Sequence, residues 1–394
     1  MLGPTLRRRE RRVQWLLVAL LVAALAAAGA AAPGSERART LWGIAGGYTD
    51  GQLADLRNRG VGFVLIEMRW AQAEPRRGTF DEHYFESVRA LVRKARAGGY
   101  RVMLNFGLDH APRWVLDAHD RLGRPIGRFV NQYGGVYAGD QPNLVFSRQL
   151  RRFAASYVRR VFSNRGLGNG FYVVRVGGGY LGELTYPYEG RSFRYWAFDA
   201  SARADNPVAR YRPCRRHRGQ ARRFLGWYFD RLADYQNWQI RAVRRWYSGP
   251  IAVVYPSWGV RRGDVARALA DNLCGRSSAE LNGEIQRGLD HARQIRRLPR
   301  MGKLVVWGSW VDNASYSSWI FGLADRRGLA KMGENSGDST DIAAMSAAFS
   351  NARTFGLTAF MWVRAAQAYC RCGVYASIDD YEHLIHDQAT GTPR

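Results

Sequence analysis

Two glutamates carry the strongest chemical signal in this sequence. Glu183 stands in Gly177-Gly178-Gly179-Tyr180-Leu181-Gly182-Glu183-Leu184-Thr185-Tyr186-Pro187, and Glu334 in Met332-Gly333-Glu334-Asn335-Ser336-Gly337. Each is placed just past a short apolar run of strand character, and the glycines beside it let backbone approach a ligand closely. Two carboxyl groups flanking a scissile oxygen are what glycosidic cleavage uses: one protonates the leaving group, and the other activates water or attacks the sugar. A single glutamate after a glycine is ordinarily a solvated turn residue. Two of them, at the ends of different strands, read together as an acid and a base or nucleophile.

The rest of the chain shows what would hold such a pair. Eight short, β-branched apolar runs cover residues 41–46, 61–67, 100–105, 172–177, 251–255, 303–308, 328–332 and 357–363. Amphipathic stretches alternate with them at 52–59, 84–97, 147–162, 221–246, 278–296, 315–325, 341–354 and 377–386. This alternation predicts a parallel sheet with crossover helices, and eight such units predict a single (β/α)8 TIM barrel over residues 41–390. A chain with 46% hydrophobic and 13% aromatic residues can fill the core of such a barrel. Strands four and seven lie across the mouth from each other, so Glu183 and Glu334 would converge over its centre. The long connections 106–142 and 182–219 follow strands three and four, on the side where barrel enzymes carry their active-site loops.

Tryptophans gather at the same strand ends and in adjoining loops: Trp70, Trp114, Trp258, Trp307, Trp310 and Trp362. Their flat apolar faces suit the C–H faces of a sugar, although packing alone would also use them. Trp307 and Trp362 are the best placed for a sugar floor. Tyr186, Tyr255 and Asn335 are further candidates for substrate contact, and Glu67 and Asp312 stand near strand ends as polar ones. Glu74 lies in a turn pattern and is read as fixing the second loop.

The segment Gly182-Glu183-Leu184-x-Tyr186-Pro187 resembles the Gly-Glu-Leu-Arg-Tyr-Pro motif of β-amylases, glycoside hydrolase family 14, and Gly333-Glu334-Asn335 resembles their Gly-Glu-Asn motif. The resemblance implies Glu183 as general acid and Glu334 as general base. Met103-Leu104-Asn105-Phe106 and Pro112-x-Trp114-Val115 are similar to the third-strand region of that family, which makes Asp109 the counterpart of a substrate-binding aspartate. Trp70-x-x-x-Glu74-Pro75-x-x-Gly78-x-Phe80-Asp81 and Gly99-Tyr100-x-Val102 are similar to the β-galactosidases of family 42. In that clan the fourth-strand glutamate usually follows Asn; here Gly182 takes that place, which favours the β-amylase-like group. β-Amylases invert and family 42 enzymes retain, a choice tied to carboxyl separations of about 6.5–9.5 Å and about 5–5.5 Å respectively.

The N-terminus reads as an export signal. A basic cluster, Arg7, Arg8, Arg9, Arg11 and Arg12, precedes an uncharged run at 13–32 rich in Leu, Val and Ala. Twenty residues at about 1.5 Å each just span a bilayer core, and the Arg cluster would stay in the cytoplasm. The Ala-rich end also suits signal-peptidase cleavage, so residues 1–32 are a signal peptide or a signal anchor, with a linker at 33–40. The barrel is then secreted or anchored to the outer face of the cytoplasmic membrane.

Of the formal charge of +26, +22 remains once the five Arg and one Glu of the first 32 residues are set aside. Only three lysines, Lys94, Lys303 and Lys331, stand among 59 basic residues, so the charge reflects a general bias toward Arg and says little about a ligand. No nucleic-acid-binding motif accompanies it. Cys214, Cys274, Cys370 and Cys372 all follow strand ends in the exported part, and their even count predicts two disulfides among three possible pairings. The Cys214-x-x-His217 spacing, with Cys370 and Cys372, is a weaker zinc pattern; no metal or cofactor is expected. The expected function is hydrolysis of an oligo- or polysaccharide. The alternative is an inactive surface barrel that binds a glycan or an anionic wall polymer. The sequence sets no oligomeric state.

Overall fold

The computed structural model describes residues 40–46, 49–189, 193–275, 279–370 and 373–390. The expected signal or anchor segment, nearly all of the linker, and Cys372 lie outside the described residues. Eight parallel strands, β1 (Leu41–Ile44), β2 (Phe63–Glu67), β3 (Arg101–Asn105), β4 (Val173–Val176), β5 (Ile251–Tyr255), β6 (Leu304–Gly308), β7 (Ala330–Glu334) and β8 (Ala359–Trp362), close into one barrel in sequence order. β8 pairs with β1 through Leu41–Ala359 to Ile44–Trp362, which leaves no free sheet edge.

Both strand faces are buried, so the runs are almost wholly apolar rather than alternating. Period 2 still sorts their side chains. Phe63, Leu65, Met103, Val173, Ala252, Val254, Val305, Trp307, Met332, Ala359 and Met361 fill the barrel interior. Their neighbours, such as Val64, Ile66, Val253, Tyr255, Phe360 and Trp362, pack outward under the helices. Gly43 has an interior reason to be glycine, since a Cβ there would sit 2.3 Å from the Phe63 ring.

The crossover helices are α1 (Asp50–Asn58), α2 (Glu82–Ala97), α3 (Arg148–Phe162), α4 (Arg218–Arg244), α5 (His291–Arg296), α6 (Ala314–Asp325), α7 (Ile342–Thr354) and α8 (Ile378–Thr390). Several start at side-chain caps legible in the sequence: Asp81 accepts from the Tyr84 N–H, Asn313 from that of Tyr316 and Asp341 from that of Ala344. α2 buries Phe85, Val88, Val92 and Ala95, a stripe of helical period against the sheet.

The helix expected over 278–296 is broken. A segment Ala279–Gln286 ends before Gly288, where φ is +75° and a Cβ would sit 2.7 Å from the Tyr186 ring, so glycine is required, and α5 starts after it. That break carries Arg287 to the barrel mouth. A disulfide joins Cys214 to Cys274, tying the loop after β4 to the segment after β5. Cys370 is disulfide-bonded too. With its sulfur so engaged, Cys214 is no zinc ligand, and among the described residues no group of three or more His, Cys, Asp or Glu is arranged to hold a metal. No helix among the described residues is long and apolar enough to cross a membrane.

Candidate active site

Glu334 is the last residue of β7, inside the strand rather than just past it, and shares the inward parity of Met332. Its backbone is held from both sides. The Val311 N–H donates to the Glu334 carbonyl (2.9 Å), and Gly333 allows that approach, since a Cβ there would lie 2.6 Å from the Gly308 carbonyl. Asp312 accepts from the Ser336 N–H (2.7 Å), while Asn335 accepts from the Val363 N–H (2.8 Å) and donates to the Ser336 and Ser339 carbonyls. Asp312 and Asn335, expected as sugar contacts, thus help to fix the Glu334 turn.

Glu183 reaches the mouth by a longer route than expected. β4 ends at Val176, and the chain loops out and returns, so that the Leu184 N–H bonds the Val254 carbonyl of β5 (2.9 Å). The loop is closed by Gly179 N–H to the Glu183 carbonyl (2.8 Å) and Gly182 N–H to the Gly179 carbonyl (2.9 Å). A Cβ on Gly177 would sit 2.1 Å from the Gly182 carbonyl, and Gly178 and Gly182 have φ of +64° and +73°. Leu181 adopts φ +56° without being glycine, a strained position next to the carboxyl. The glycine run is thus a folding requirement of the turn that presents Glu183.

Four charged groups meet at the barrel mouth. The Arg175 guanidinium, on the inward side of β4, donates to Glu334 Oε1 (3.1 Å) and lies over the Trp307 ring (5.3 Å to its centre). Arg287 donates to Glu183 Oε2 (3.4 Å) and to the Thr185 hydroxyl (3.3 Å). Burial pushes the Glu183 carboxyl up to about 7; Arg287 opposes this, the Glu334 charge adds to it, and Ser309 and Arg175 act against it. Burial also raises Glu334, against the pull of Arg175 and of the neighbouring Trp307 N–H, with Glu67 raising it further. The two carboxyls are close enough for Glu183 to feel the charge of Glu334.

Around this pair, buried hydrogen-bonding capacity is left over. Glu334 Oε2, Trp307 Nε1, Arg175 Nε and Asp109 Oδ1 make no well-formed hydrogen bond among the described residues, although the Trp307 N–H lies near enough to Glu334 to act on its charge. Asp109 is buried, 3.6 Å from His110, and its carboxyl is pushed up by burial and by Glu67 and pulled down by His110 and Arg175. Glu67 accepts from Asn105 (3.2 Å) at the ends of β2 and β3.

Other expected contacts serve as packing. Trp70 is buried, donates to Glu74 Oε2 (2.8 Å) and stacks on Tyr157. Glu74 also accepts from the Gly78 N–H and so does fix the second loop. The Tyr186 hydroxyl donates to the Tyr228 carbonyl and its ring stacks on Tyr228, while Tyr255 donates to Gln236 from the outer face of β5. Trp362 also points outward, into the helix layer. These corrections share a cause: strand parity or a satisfied polar tip turns the side chain away from the mouth. Trp307 does face inward but is fully buried, beneath Arg175 and Glu334.

Sequence reasoning missed Arg175, Arg287 and Ser309. Arg175 left a signal, as the one charged residue in Val173-Val174-Arg175-Val176 and at inward parity. Arg287 left none, because its position depends on the Gly288 break.

No protein-family model matches the chain, and no curated protein matches it in sequence. Among solved structures, the catalytic domain of β-amylase from Paenibacillus polymyxa is similar with a TM-score of 0.70 at 14% identity, over 90% of this chain and 99% of that one. The β-galactosidase from Bacillus circulans sp. alkalophilus is similar with a TM-score of 0.56 at 11% identity, over 89% of this chain but only 56% of that one. At such identities the likeness is one of fold: a TIM barrel of the kind seen in these two glycoside hydrolases.

Proposed function

We propose that the protein is a glycoside hydrolase that cleaves O-glycosidic bonds of an oligo- or polysaccharide, with Glu183 as general acid and Glu334 as the second carboxylate. One observation carries this: a carboxyl raised to about 7 shares the barrel mouth with a buried, Arg-held carboxylate, among buried polar atoms with no well-formed hydrogen bond among the described residues. Arg175 favours the ionised form of Glu334, and the Glu334 charge keeps the remaining proton on Glu183. Glu183 then hands that proton to the leaving oxygen, and Arg287 stabilises the carboxylate that remains. The positive charge that develops on the sugar forms near ionised Glu334. The β-amylase-like contexts of both glutamates favour Glu334 as a base that draws a proton from water, with inversion. Asp109, with a free buried oxygen, is the best placed substrate-binding residue.

The test is turnover of aryl glycosides and oligosaccharides by the purified protein, with the anomer of the product read by NMR. Glu183→Gln and Glu334→Gln should each lower kcat by at least about a hundredfold. Variants as active as the parent would overturn the assignment, and binding without turnover would replace it with a glycan-binding barrel.

Export belongs to the same proposal. The basic cluster before the apolar run at 13–32 supports it, as do the oxidised pair Cys214–Cys274 and the oxidised Cys370.

A further inference from the structure

The outer wall of the barrel carries a second feature, away from the mouth. A groove between α3 and α4 holds two adjoining hollows, of about 730 Å³ and about 330 Å³. The smaller is lined by Arg152, Ala155, Ser156, Arg159, Ala242, Arg245 and Trp246, with no carboxylate among them. The larger continues along the same two helices through Arg148, Arg151 and Arg241. Its three carboxylates are already engaged: Asp120 by Arg124 (2.7 Å), Asp205 by Arg231 (3.1 Å), and Asp234 by Arg231 (2.5 Å) and Arg297 (3.1 Å).

Arg148, Arg152, Arg159, Arg241 and Arg245 are exposed, and none meets a carboxylate among the described residues. Arg148 and Arg152 are like charges four residues apart on α3, an arrangement that weakens a helix when nothing neutralises it, and Arg241 and Arg245 have the same spacing across the C-terminal end of α4. Trp246 is 41% exposed beside them, whereas the other large exposed hydrophobics sit in loops or at helix starts on the mouth side. An indole left in water next to three unpaired guanidiniums returns nothing to the fold.

We infer that this groove binds a glycan chain bearing acid groups, with one sugar ring stacked on Trp246 and its carboxylate, sulfate or phosphate held by Arg152, Arg159 and Arg245. Guanidinium forks match such oxyanions in geometry and charge, and an indole face matches the C–H face of a sugar. Two hollows along one pair of helices suit successive units of a chain better than a flat bilayer. The choice of a glycan over nucleic acid rests on the proposed export, which the Cys214–Cys274 disulfide supports: in an oxidising compartment a glycan is the polyanion at hand. The site is independent of the catalytic pair: its failure would leave the hydrolase assignment standing, and the reverse holds equally.

The test is calorimetric titration of the full chain with polygalacturonate, with dextran as the neutral control. The triple variant Arg152→Ala/Arg159→Ala/Arg245→Ala should weaken polygalacturonate binding by about tenfold or more. Trp246→Ala should weaken it about threefold or more and Trp246→Phe should largely restore it. All should hydrolyse a small aryl glycoside as the parent does. A control triple with the same charge change elsewhere, Arg222→Ala/Arg262→Ala/Arg353→Ala, should bind nearly as the parent. Equal losses in both triples would reduce the effect to net charge and overturn the site. So would unchanged affinity in Trp246→Ala, dextran binding as tightly as polygalacturonate, or a single-stranded oligonucleotide of matched charge binding as tightly through the same residues.

Discussion

At the scale of single residues, Glu183 and Glu334 share one buried region with two guanidiniums, and the balance of those charges decides where the protons sit. With Glu183 at about 7, activity should fall on the alkaline side as that proton is lost, with an apparent midpoint near that value. Arg287 lowers the Glu183 value, so Arg287→Gln should move the alkaline limb to higher pH. An unmoved limb in a pH profile of kcat/KM would mean that another group is the acid. The same shift is a stability statement. Between the ordinary carboxylate value of 4.5 and about 7, folded Glu183 keeps a proton that the unfolded chain has released. Stability therefore falls as pH rises through that window, by about 3 kcal/mol in full. Glu183→Gln removes this term, so urea unfolding should show it gaining on the parent between about pH 4 and about pH 8. A difference independent of pH would sink the argument.

At the scale of elements, the presentation of Glu183 depends on a turn that glycine alone permits. Gly177→Ala would place a Cβ 2.1 Å from the Gly182 carbonyl, a backbone atom that cannot swing aside, so the turn itself must shift. A displacement of about 1 Å at Glu183, the proposed acid, should lower kcat about a hundredfold, with near-UV circular dichroism still showing a packed barrel. Parental kcat in that variant would show that the turn tolerates the methyl. The Gly288 break works in the same way in the neighbouring segment after β5: by ending one helical segment early it turns Arg287 toward Glu183.

At the scale of the whole molecule, the Cys214–Cys274 bridge, with a sequence separation of 60, cross-links two mouth loops and restricts the unfolded chain. Cys214→Ser/Cys274→Ser should lose about 2–4 kcal/mol in equilibrium unfolding. Free thiols at both positions in protein recovered from its native compartment would contradict both the bridge and export. The barrel itself closes without a sheet edge, so the loops can be long and strained while the strands stay regular.

The barrel was legible because its signal is local and repeated. β-Branched apolar runs alternate with capped amphipathic stretches, and all eight observed strands overlap the runs at 41–46 through 357–363, with β7 alone extending beyond its run. The two glutamates were legible from their glycine contexts and from motif resemblance, and the interior placement of Arg175 could have been read from parity. The sequence alone could not say which aromatic side chains face the mouth. Trp70, Tyr186, Tyr255 and Trp362 have the right chemistry, yet strand parity and hydrogen bonds to buried carbonyls and side chains turn them into the core. Nor could it place Arg287 beside Glu183, a contact between residues 104 positions apart that exists only because β4 and the segment after β5 are neighbours in the closed barrel. Local pattern determines which elements form. The proton positions at the mouth follow from burial and from charges brought together across the chain, which only the tertiary structure decides.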